Sequence, residues 1–75
     1  SKNKVYLKIW QVLKNIIQVI EKSKSSLLGV EANVNKAKLA VIKVKIVVKD
    51  HEELNKIMNS LKSVENVLEI SRKRG

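Results

Sequence analysis

Ala37–Lys49, AKLAVIKVKIVVK, decides the fold because it alternates. Ala40, Ile42, Val44, Ile46 and Val48 fall on one side, and Leu39, Val41, Lys43, Lys45 and Val47 on the other. A period of two belongs to a β-strand, whose successive side chains point to opposite faces. One face is wholly apolar and has to be covered. The other carries two lysines and tolerates water. The stretch reads as a central strand of a one-sided sheet, and its neighbours as partners or covers.

Upstream, Leu27–Val34 reads as a strand whose inner set is Leu28, Val30, Ala32 and Val34. Gly29 in its middle marks a bulge or a close backbone approach. Asn33, Asn35 and Lys36 make a short turn, so the two strands form an antiparallel hairpin. Downstream, Asp50 is a good N-cap, and Glu53 three residues on suits a capping box. Glu52 and Glu53 favour the positive end of a helix dipole, and Lys62 the negative end. Leu54, Ile57, Met58 and Leu61 form the apolar stripe of that helix, with Met58 as core filler. Val64–Asn66 is its exit. Val67–Ser71 reads as a last strand with Leu68 and Ile70 on one face.

At the other end, Val5–Trp10 (VYLKIW) also alternates, with Val5, Leu7 and Ile9 opposite Tyr6, Lys8 and Trp10. It reads as a first strand. In Gln11–Lys22, Val12, Leu13, Ile16, Ile17, Val19 and Ile20 recur at helical spacing. No turn residue separates this helix from the strand before it. Ser23–Ser26 is a polar break. The order becomes β-α-β-β-α-β. Packing both helices on one sheet face by right-handed crossovers gives a ferredoxin-like α+β sandwich, a four-stranded antiparallel sheet in the order 4-1-3-2.

Seventy-five residues make one domain, and a chain this small buries only about 60% of its unfolded surface. Residues 1–3 read as a linker or cloning remnant, 4–73 as the domain and 74–75 as a basic tail. The first residue, Ser rather than Met, points to an excised fragment. With no cysteine there is no disulfide and no thiolate metal site. No apolar run approaches the roughly 20 residues of a membrane span, and no signal peptide is visible. The net charge of +9 makes an anionic partner plausible.

No catalytic constellation stands out. His51 is the single histidine and reads as a solvated imidazole, because a metal site needs convergent ligands. Glu52, Glu53, Glu65 and Glu69 are explained by helix capping and solvation. No glycine-rich phosphate loop occurs, and no cofactor is expected.

Lys8, Lys43 and Lys45 share the predicted open face with Tyr6 and Trp10. That mixture of charge and aromatic surface suits single-stranded nucleic acid. RNA-recognition motifs, however, place aromatics on the third strand, where this chain has none. The competing reading is a solvated sheet face whose Leu39, Val41 and Val47 meet a second subunit. Trp10 reads either as an edge plug for the core or as a ligand-lining or interface residue.

The run Ala37–Lys73, AKLAVIKVKIVVKDHEELNKIMNSLKSVENVLEISRK, resembles the end of an ACT domain. It is similar in particular to the C-terminal ACT domain of the long bifunctional (p)ppGpp synthetase/hydrolases, the GTP pyrophosphokinases of the stringent response. The shared features are the long aliphatic strand ending at Val48, the acidic helix start followed by Leu54, and Leu61 and Val64 leading to an Asn turn. A final Val67-Leu68-x-Ile70 strand then ends at Arg72. The likeness spans about residues 26–73 and is looser over 4–22. It implies a non-catalytic regulatory module of a cytoplasmic enzyme. Its implied partners are a second copy or an intramolecular regulatory surface, an amino-acid effector, and rRNA at the ribosome; a membrane is not among them. ACT domains often carry Asp-x-x-Gly-Leu-Leu after the first strand, and Trp10, Gln11 and Val12 stand in that ligand loop here. Val12 and Leu13 match the two leucines, while the Asp and Gly have no counterpart. Tyr6, Lys8, Lys43, Lys45 and Arg72 are the candidate contacts of the open face.

Overall fold

A computed structural model describes the backbone of residues 2–73 and the side chains of residues 7–73. Four elements follow in order: helix α1 (Lys2–Glu21), strands β1 (Ser26–Val34) and β2 (Ala40–Val47), and helix α2 (His51–Lys62). The two strands form one antiparallel sheet. Ser1, Arg74, Gly75 and the side chain of Tyr6 lie outside the described residues.

The hairpin is as the alternation demands. Ile42, Val44, Ile46 and Val48 pack against a core made by Ile16, Ile20 and Ile57, which are 6%, 1% and 3% exposed. Val12, Leu61, Val64 and Val67 complete it. Lys43 and Lys45 lie on the outer face in water. Gly29 does mark a bulge, since the register shifts between Leu27 and Gly29. One consequence was not legible in the sequence. The shift sets Leu27, not Leu28, opposite Ile46 on the inner side, and Leu28 is left 59% exposed. The close approach also allowed for Gly29 is absent, because a Cβ built there meets nothing within 4 Å.

At the hairpin tip, Asn35 Oδ1 accepts from the main-chain N–H of Ala37 (2.9 Å) and Leu39 (3.1 Å). Lys38 takes a left-handed conformation (φ 62°), which helps close the five-residue connection between β1 and β2. For α2, Asp50 Oδ1 accepts from Glu53 N–H at 2.9 Å, so the predicted N-cap is real. The reciprocal half of the capping box is diverted. Glu53 Oε1 accepts from Lys24 N–H at 3.1 Å, tying the serine-rich turn to the start of α2. Ser23 closes α1, its hydroxyl donating to the Ile20 carbonyl at 2.6 Å.

Two expectations are corrected. Val5–Trp10 is not a strand but the N-terminal half of α1, which begins at Lys2 within the stretch expected to be linker. The reason is a helical periodicity that begins at the end of this stretch and continues beyond it. Ile9, Val12, Ile16 and Ile20 recur at spacings of three and four, and with no breaker between Trp10 and Gln11 the helical ladder runs through. The last strand is absent too. Beyond a turn at Asn66 (φ 73°), residues 67–73 form no ladder. They run back along α2, with Val67 on the core, Leu68 84% exposed and Arg72 Nη1 3.4 Å from His51 Nδ1. Among the described residues the sheet therefore has two strands rather than four.

Candidate functional site

The outer face of the hairpin is the most chemically loaded surface. Lys43 and Lys45 project from β2 between exposed Val41 and Val47. Across the ladder, Glu31 stands opposite Lys43, an opposite-charge cross-strand pair, while Gly29 offers Lys45 no side chain. Leu39 at the tip is 51% exposed. This face is cationic and partly apolar, and neither helix covers it.

The other predicted contacts do not join it. Tyr6 and Lys8 belong to α1 rather than to a strand, so they share no sheet face with Lys43 and Lys45. Arg72 is exposed beside His51, at the N-terminal end of α2. Stacking plus charge on one sheet surface is therefore not what the fold provides. Trp10 is 59% exposed on α1 and plugs no strand end.

Trp10, Gln11 and Val12 lie inside α1, where no loop intervenes between a strand and a helix. Main-chain N–H groups in a helix interior are used by the ladder, so they offer a ligand nothing. Gln11 is exposed, and Val12 packs against the core. An effector at this position would meet the side chains of Trp10 and Gln11.

A shallow cleft of about 220 Å³ lies between the end of α1 and α2, lined by Lys22, Lys56, Ser23, Ser60 and Glu53 among others. Sequence reasoning missed it because its two walls are 29 residues apart at their hydrogen-bonded contact, Lys24 to Glu53. Its Ser23 hydroxyl is already spent on Ile20, and Glu53 on Lys24. Lys56 pairs loosely with Glu52 at 3.9 Å in full view of solvent, an interaction of little energetic weight. Among the described residues no three His, Asp or Glu side chains cluster to hold a metal, and no helix is long and apolar enough to cross a membrane.

In comparison with known families, the family model described as the ACT domain matches residues 10–72. No curated protein and no solved structure gives a significant match.

Proposed function

The chain belongs to the ACT domain family, and on that premise we propose that it is the regulatory module of a (p)ppGpp synthetase/hydrolase. ACT domains are generally regulatory and non-catalytic, and often pair or bind amino-acid effectors. The observation that carries the parent assignment is the run Ala37–Lys73, with its aliphatic strand, its Asp50-capped helix and its Asn66 turn. In this reading the domain spans residues 4–73 of a cytoplasmic enzyme, catalysis lies elsewhere in the parent, and the module acts by pairing and by sensing an amino acid. The four-stranded ferredoxin-like sheet would be reached by adding strands to the open edge of β2.

Two experiments test it. The coding sequence upstream of Ser1 is expected to encode an HD-type hydrolase and then a nucleotidyltransferase-like domain; a different upstream enzyme sinks the parent assignment. Trp10 is the single tryptophan and is exposed, so its fluorescence reports directly on an effector held there. Titration across the branched-chain amino acids is expected to shift it, and a flat response to all of them retires the sensing role.

A second reading, contact with RNA at the ribosome, is favoured by the exposed Lys43 and Lys45 on a chain of net charge +9. It predicts binding that weakens with salt by about one logarithmic unit of slope per phosphate contacted. No measurable affinity at low salt eliminates it.

A further inference from the structure

The helices pack on the inner face of the hairpin, through Ile42, Val44 and Ile46. Its outer face has no such cover. Further strands join a sheet at its edges, so they widen this face and leave it uncovered. Along β2 it presents Val41, Lys43, Lys45 and Val47, all exposed. Both ends are apolar. Leu39 lies beyond Val41 at the hairpin tip, and the bulge leaves Leu28 exposed near the Val47 end. The middle is cationic, and its charge is unbalanced. Glu31 is the one carboxylate in either strand, and it stands opposite Lys43. Lys45 faces Gly29 and has no acidic neighbour across the ladder. Lys36 and Lys38 at the tip and Lys49 past the end of β2 are exposed as well.

We propose that this face docks an acidic amphipathic helix of a partner protein. Two carboxylates of that helix meet Lys43 and Lys45, and an aliphatic side chain meets each apolar end. Such docking goes beyond the pairing and effector sensing proposed above and does not depend on the parent enzyme. Spacing and charge select the occupant. Val41 to Val47 spans about 20 Å, close to four helical turns. Lys43 and Lys45 are about 6.6 Å apart along the strand, and carboxylates four residues apart on a helix are separated by about 6 Å. A helix satisfies its own main chain, so it covers a sheet face without pairing at an edge.

Other occupants fit less well. A second copy of the same face sets four lysines against two glutamates. Neither helix of this chain carries the acidic pattern. Glu21 is the single carboxylate of α1; on α2, Glu52 is followed four residues on by Lys56, and Glu53 accepts from Lys24. Single-stranded nucleic acid stacks its bases on aromatic rings. Neither β1 nor β2 holds one, and Tyr6 and Trp10 stand on α1. Valine and leucine at the two ends suit aliphatic side chains instead.

The test is amide chemical-shift mapping on the 75-residue chain. The probe is a capped synthetic peptide, Ser-Leu-Ala-Ala-Gln-Glu-Ala-Ala-Ala-Glu-Ala-Ala-Gln-Leu-Ala. Shifts are expected along Val41–Val47 and at Leu28, and not on α2. Lys45 is exposed, so Lys45→Glu leaves the core untouched. That variant is expected to bind the peptide at least about fivefold more weakly, since repulsion replaces attraction at one contact. A peptide with lysine in place of both glutamates is expected to produce no shifts. The proposal is overturned by an absence of shifts at about 5 mM peptide, by shifts that map elsewhere, or by equal affinity for Lys45→Glu. A single-stranded oligouridylate that shifts the same amides and displaces the peptide at lower concentration assigns the face to nucleic acid and overturns it too. Movement of these amides on dilution of the chain alone assigns the face to a second copy, with the same consequence.

Discussion

Replacing Leu7 with alanine separates the helix from the strand that the same residues spell. In the fold, Leu7 lies on α1 and is 66% exposed. Truncation removes little buried surface, and alanine is the better helix former, so the expected change is below about 0.5 kcal/mol. Were Val5–Trp10 an inner strand, Leu7 would face the core with Ile9, and its loss would cost about 2–5 kcal/mol. Ile20→Ala is the internal standard. Ile20 is 1% exposed, and truncation deletes three carbons at about 0.8 kcal/mol each. With the residual cavity the cost rises to about 3–4 kcal/mol. For a chain of 75 residues the whole stability is about 4–11 kcal/mol, so that one change removes about a quarter of it or more. Urea unfolding followed by far-UV circular dichroism, at a chain concentration too low for association, measures both. A cost above about 2 kcal/mol for Leu7→Ala refutes the helical placement of residues 5–10. A cost below about 1 kcal/mol for Ile20→Ala refutes the core as described.

Two local devices give sharper, smaller effects. Asp50→Ala deletes the acceptor of the 2.9 Å bond from Glu53 N–H and is expected to cost about 1 kcal/mol in the same unfolding assay; an unchanged midpoint shows the cap to be dispensable. Gly29→Ala is expected to stabilise by about 0.4–1 kcal/mol, because the added methyl meets nothing within 4 Å, the backbone φ is not positive, and the unfolded chain loses freedom. A lowered thermal midpoint for that variant would mean that the bulge needs glycine after all.

The candidate surface was half legible. Lys43 and Lys45 could be placed on an open face because strand period fixes facing, and burial of Ile42, Val44 and Ile46 follows from the same rule. Tyr6, Lys8 and Trp10 could not be placed, since their facing depends on whether the backbone there is pleated or coiled. The link between Lys24 and Glu53 had no signal at all, because a capping-box glutamate reads the same whether it bonds its own N-cap or a distant turn.

By itself, the sequence determined the hairpin, the Asp50 cap, the stripe of α2 and the bulge at Gly29, each set by a few neighbouring residues. The tertiary structure alone decided two things. It carried α1 back through Val5–Trp10 from the stretch that sets Val12, Ile16 and Ile20 on the shared core, because a helix anchored there propagates at low cost where no residue breaks its ladder. Among the described residues it also left β2 with one partner strand, because a strand exists only where a partner completes its ladder, and no period in the chain states which partner that is.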